Sequence, residues 1–153
     1  MFQTLAYYAT AFHRSFVNYT TAKLQTLGLN FGSLFLVIYV GKHPGCTQTQ
    51  LTSDLNLDWG YSQRSVTKLV EEGFLTREKS GRCYHLNLSD KGQQAFEVSH
   101  QVFFDWDEQV LSALSLQERE QLFTLLAKAA QKEVDSICTK PRRRRTPNGS
   151  FSS

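Results

Sequence analysis

The chain has 153 residues and 17.5 kDa, of which 41% are apolar, 12% aromatic and 20% charged. That composition excludes a disordered or linker protein and fits one soluble domain burying roughly 68–70% of its unfolded surface. The formal charge of +3 is unevenly spread: residues 140–153 hold five bases and no acid, so residues 1–139 carry 12 bases against 14 acids, a net −2.

Any nucleic-acid reading therefore has to come from local patterning. The longest apolar run, Leu34 to Val40, falls well short of the ~18–20 residues of a membrane span. Met1-Phe2-Gln3-Thr4 lacks the basic start of a secretory signal, which leads to the expectation of a cytoplasmic protein without membrane contact. Three cysteines, Cys46, Cys83 and Cys138, are odd in number and far apart, as expected of reduced thiols.

In chain order, residues 2–27 place Phe2, Leu5, Ala9, Phe12, Phe16 and Tyr19 three and four apart, a seam on one face of a long helix. Such a seam serves equally as a core face or as a dimer interface. Residues 31–42 form a continuous apolar stretch. Its length and the following Pro44-Gly45 favour a helix over a buried strand. Thr47-Gln48-Thr49-Gln50 is a capping-box pattern opening a short helix that ends near Asn56. Asp58 then caps a helix to about Glu72, with Ser62, Ser65, Val66, Leu69 and Val70 inward. Its outer face carries Trp59, Gly60, Tyr61, Gln63, Arg64, Thr67, Lys68 and Glu71.

Two short helices joined by a tight turn make a helix-turn-helix. Residues 74–78, a Lys79-Ser80-Gly81-Arg82 turn and residues 83–88 follow as a β-hairpin with a basic tip. The order helix-turn-helix then hairpin is that of a winged helix. Beyond it, Phe96, Phe103 and Val110 repeat at seven residues, with Trp106 and Leu114 near the same face. Ser115-Leu116-Gln117-Glu118 is a second capping box, opening a last helix with Phe123, Leu126, Ala130, Val134 and Ile137 inward. Residues 140–153 form a basic tail expected to be disordered.

The layout resembles the MarR family of winged-helix transcription factors over about residues 5–138. The resemblance is carried by His43-Pro44-Gly45-Cys46-Thr47-Gln48, by Leu69 to Arg77 at the end of the recognition helix, and by Leu86-Asn87-Leu88-Ser89-Asp90-Lys91-Gly92 leaving the wing. Two features depart from the family pattern. The wing is short, its Asp-x-Arg-type motif reduced to Ser80-Gly81-Arg82, and the recognition helix opens with Trp59-Gly60-Tyr61.

The resemblance implies a mainly α fold with a small β-hairpin wing. Residues 30–92 would form the winged helix-turn-helix, and residues 1–29 with 93–139 a helical dimerisation region. It further implies a homodimer on double-stranded DNA with an inverted-repeat operator, acting as a repressor. Half-sites would lie about 10 bp apart. Gln63 and Arg64 suit base contacts, Arg on guanine and Gln on adenine. Tyr61 suits a thymine methyl or a phosphate and Lys68 a phosphate, with Trp59 and Gly60 on the same face. Arg82 matches the family's wing arginine, which reaches into the minor groove, and Arg77 and Lys79 add phosphate contacts. The competing reading is a solvated amphipathic helix beside an ordinary basic turn, in a winged helix that serves as a protein-interaction or dimerisation module without specific DNA binding.

The family often binds a small aromatic or lipophilic effector between its DNA-binding lobe and dimer helices. Phe12, Phe16, Tyr39, Phe103 and Trp106 are the residues able to line such a pocket here, or else they are plain core. Cys46, placed before a helix, could be an activated thiol, an inert buried one being the favoured alternative. No cofactor motif, metal-ligand spacing or catalytic constellation is present, and an enzyme is not expected.

Overall fold

The structure, a computed structural model, describes residues 3–138, the side chains as far as residue 133. Expectations placed on Phe2, Val134, Ile137, Cys138 and residues 140–153 lie outside the described side chains.

The first helix, α1, runs Leu5–Gln25 and starts where Thr4 caps it, the Thr4 hydroxyl accepting from the Tyr7 amide. Only Thr20 and Leu24 of α1 are buried, whereas Leu5 is 68% and Phe12 44% exposed. The seam read from the sequence thus enters the core of this chain only at its C-terminal end. The next segment is helical, α2 at Phe31–Lys42, capped by Asn30 through the Ser33 amide. Leu34, Leu36, Val37, Tyr39 and Val40 are all buried, so α2 is the central helix. Each fully buried aliphatic side chain there contributes about 1.5–3 kcal/mol.

A two-residue strand, β1 (Cys46–Thr47), precedes α3 (Gln48–Asp54). The Thr47–Gln50 capping box is formed, the Gln50 amide donating to Thr47 Oγ1 and the Thr47 amide to Gln50 Oε1. Asn56 takes a left-handed conformation, φ 51°, which Asn tolerates better than most residues. The chain is thereby turned into α4, Trp59–Glu71. Between α3 and α4, the Thr52 hydroxyl donates to the Gln48 carbonyl and lies 2.6 Å from the buried Ser62 hydroxyl. With the Thr52 proton committed, Ser62 is the donor, and the two helices are pinned by a satisfied polar pair.

The wing pairs β2 (Leu75–Ser80) with β3 (Cys83–Leu88), in register from Leu75 opposite Leu88 to Ser80 opposite Cys83. The four-residue turn read from the sequence is corrected to two residues, Gly81 and Arg82. Gly81 at φ +63° supplies the positive angle a tight hairpin turn needs. A third strand was not expected: β1 pairs with β3, Cys46 opposite Leu86, giving the sheet order β1-β3-β2.

Helix α5 (Asp90–Val110) is capped by Ser89, buries Gly92, Ala95, Ser99 and Val102, and packs against α2 and α1. Helix α6 (Leu116–Cys138) opens on the expected capping box, Ser115 with Glu118. Its apolar face, read as inward, is not: Phe123, Leu125 and Leu126 are exposed, and Leu116 is 83% exposed. The amphipathic pattern was real, but among the described residues these apolar side chains of α6 remain exposed. One continuous core joins Leu24, the α2 residues, Leu51, Val66, Leu69, Phe74, Leu75, Leu86 and Ala95.

Candidate nucleic-acid interface

Helix α4 begins with its cap. Asp58 Oδ2 accepts from the Tyr61 amide at 3.1 Å, fixing the first turn from which the outward side chains project. Ser62, Val66 and Leu69 are buried on the inner face, leaving Trp59, Gln63, Arg64 and Lys68 exposed on the other. The Arg64 guanidinium lies back over Gly60, with Nη1 3.2 Å from where a Cβ would stand. Lys68 makes a loose pair with Glu72 at 3.9 Å, too exposed to hold the ammonium in place. Tyr61 points elsewhere: its hydroxyl is 2.6 Å from the position of a Cβ on Gly32, so the ring leans on the first turn of α2.

Across from α4, the wing carries Lys79 and Arg77 within 5.8 and 5.9 Å of the exposed Tyr84 ring. Arg77 Nη2 donates to Thr67 on α4 at 3.2 Å, bracing the wing against the helix. Between them lies a groove of about 540 Å³ lined by Thr47, Gln48, Thr49, Trp59, Gln63, Arg77, Arg82, Cys83 and Tyr84. Trp59, Gln63, Arg77 and Arg82, picked out from the sequence, meet there; Arg64, Lys68 and Lys79 flank it on the same elements.

Sequence reading missed Gln48, Thr49 and Tyr84. Gln48 Nε2 and Arg77 Nε are both buried without a protein partner, at the edge of a groove that has the polarity to accept an anion. The only sequence signal for Gln48 was its place in the capping box, where it reads as a structural residue. Among the described residues every lysine or arginine side chain lining the groove is an arginine, which suits bidentate contact with phosphate or guanine.

The second expected site changes membership. Phe12, Phe16, Phe103 and Trp106 do line one cleft, of about 240 Å³, together with His13 and Asp107. Tyr39 does not. It is 8% exposed, donates through its hydroxyl to Asp54 Oδ2 at 2.6 Å, and stacks on His43. Helical spacing puts Tyr39 on α2 but cannot say which neighbour it faces, and it belongs to the α2–α3 junction. Burial, with Asp54 beside it, pushes the phenol well above its ordinary value. Burial likewise pushes the Cys46 thiol up, so Cys46 is not the activated thiol considered from the sequence.

No family model matches the sequence. Solved structures share the fold. A putative MarR family regulator from Listeria monocytogenes, complexed with 26mer DNA, superposes with a TM-score of 0.74 at 17% identity, over 95% of this chain and 100% of that one. A Mycobacterium tuberculosis MarR family protein in complex with salicylic acid gives 0.65 at 20% identity, over 84% and 97%. In sequence, the chain is 43% identical over 143 residues to the HTH-type transcriptional regulator BilQ of Clostridium symbiosum (strain WAL-14163), spanning 92% of this chain and 99% of that protein.

The chain belongs to the MarR family. As a MarR-family regulator it is a DNA-binding transcriptional regulator and not an enzyme. Among the described residues, no helix of this MarR-family chain is long and apolar enough to cross a membrane.

Proposed function

We propose that this MarR-family protein is a cytoplasmic, homodimeric repressor that reads an inverted-repeat operator and is released by a small aromatic ligand. The observation that carries the reading is the α4–wing groove, where Gln63, Arg77 and Arg82 converge beside the exposed Arg64. In this reading Arg64 and Gln63 contact bases in the major groove, and Arg82 at the wing tip enters the adjacent minor groove. Lys68, Arg77, Lys79 and Gln48 take phosphates, which set orientation without carrying sequence. Trp59 and Gly60 shape the approach, and Tyr61 holds α4 against α2.

Residues 30–92 act as the DNA-binding unit, and residues 1–29 with 93–139 as the dimerising helices. Support for a second copy comes from the exposed apolar side chains of α1 and α6, including Leu5, Phe12, Phe123 and Leu125, a kind of surface that association covers. The cleft between α1 and α5 supports a ligand site, small against the about 300–1,000 Å³ of drug-sized pockets.

Selection of bound sequences from random duplex DNA at near-physiological salt tests the reading. The expected product is an inverted repeat with half-sites about 10 bp, roughly 34–36 Å, apart. Recovery of unrelated duplexes whose binding simply fades with salt would contradict it.

A further inference from the structure

The wing presents an exposed phenol ring among its cations. Tyr84 stands directly opposite Lys79 in the β2–β3 register, and Arg77 lies two residues back along β2. Strand alternation puts these three side chains on one face of the hairpin and Glu78, between the two cations, on the other. Lys79 Nζ is 5.8 Å and Arg77 Cζ 5.9 Å from the centre of the Tyr84 ring, within the reach of a cation–π contact. The ring is half exposed and forms part of the groove wall with Arg77 and Arg82.

These two cations are held differently from Lys68 on α4. Lys68 has a carboxylate beside it, Glu72 at 3.9 Å, which offsets the charge that a phosphate would meet. Among the described residues no ion pair involves Arg77 or Lys79. An aromatic face restrains a cation without neutralising it and leaves its N–H donors open to a further partner. Arg77 is braced a second time by its 3.2 Å bond to Thr67, whereas the exposed Lys79 rests on the ring. A lysine fixed by a phosphate loses rotamer freedom, and restraint beforehand lowers that cost.

We infer that Tyr84 is a positioning residue for DNA binding, its ring presetting Lys79 and Arg77 for the phosphate backbone. The inference rests on the reading of those two cations as phosphate contacts and adds the group that orients them. A plain cross-strand pair of Tyr84 with the Lys79 stem would stabilise the hairpin, but its loss would weaken binding whether or not the two charges were present.

A mutant cycle on the full-length protein separates the two, read by fluorescence anisotropy with a labelled random-sequence duplex of about 30 bp at several salt concentrations. Tyr84→Val removes the ring and keeps a strand-forming residue; it is expected to weaken binding about three- to tenfold. Tyr84→Phe keeps the ring and should bind like the unmutated protein. In a Lys79→Gln, Arg77→Gln background, Tyr84→Val should cost less than about twofold, because nothing is left to position. A loss that persists undiminished in that background overturns the inference, as does a loss shared by Tyr84→Phe, which would assign the effect to the hydroxyl. If the two glutamines flatten the salt dependence while Tyr84→Val changes nothing, the inference alone fails. If the glutamines leave both affinity and salt dependence unchanged, the phosphate reading of the wing fails with it.

Should Tyr84→Val not fold by circular dichroism, the unmutated protein decides. In lysine side-chain NMR spectra, assigned through Lys79→Gln, the ε-methylene of Lys79 should lie upfield of that of Lys68, shifted by the ring beneath it. A Lys79 signal at the position of Lys68 sinks the inference.

Discussion

Gly92 and Asp107 show at the scale of single residues how tightly α5 is fitted. A Cβ on Gly92 would stand 1.9 Å from the Phe74 carbonyl oxygen and 3.0 Å from its carbon. The obstacle is backbone, held by the Ser89 amide and hydroxyl, so it cannot swing aside. Gly92→Ala is expected to destabilise the fold by about 2–3 kcal/mol through overpacking, read from chemical denaturation. Asp107 acts in the opposite sense. Its burial, with Glu108 adding and Arg119 subtracting, raises the carboxyl above its ordinary range. The folded chain therefore holds that proton more tightly than the unfolded one. The cost is fully present at neutral pH and disappears as pH falls through the folded-state value. Asp107→Asn should accordingly raise the melting temperature near neutral pH, with the gain shrinking on acidification. A gain independent of pH would mean that charge burial is not its source.

At the scale of elements, what was legible in the sequence was what is locally determined. The caps at Thr47, Asp58 and Ser115 announce their helices because each needs only a hydroxyl or carboxylate and an amide two or three residues on. The inner face of α4 was legible for the same reason, since 3.6-residue periodicity is a property of the segment itself. What failed depended on partners. Strand β1 is two residues long, too short for any alternation, and exists because β3 is there to pair with it. Tyr39 was placed with the cleft because spacing along α2 does not reveal that Asp54 waits on α3. The face of α6 was read as inward because an apolar stripe does not say whether its own chain covers it. Gln48 was read as capping sequence, and its place on the groove wall emerges only when the wing is folded beside α3. The cap of α4 gives this scale its prediction. Asp58→Ala should cost about 1 kcal/mol of stability and speed amide exchange at Tyr61, whose N–H it satisfies. Unchanged exchange there would show that the first turn does not depend on the cap.

The whole molecule is organised around the contrast between a well-filled core and open ends. The core runs from Leu24 through α2 to Ala95, while α1 and α6 expose apolar rows. The positive charge that the proposed DNA contacts draw on is local, in Arg64, Lys68, Arg77, Lys79 and Arg82, on a body that is net negative over residues 1–139. The five bases of residues 140–153 should add only salt-dependent, sequence-independent attraction. Removing them should flatten the salt dependence of binding without altering the preferred sequence. The central claim is that α4 reads bases, and it is tested most directly by repeating the duplex selection with Arg64→Ala beside the unmutated protein. The account predicts that one base position loses its preference symmetrically in both half-sites, with specific affinity down by about 1–3 kcal/mol. The same motif recovered at the same affinity would contradict it.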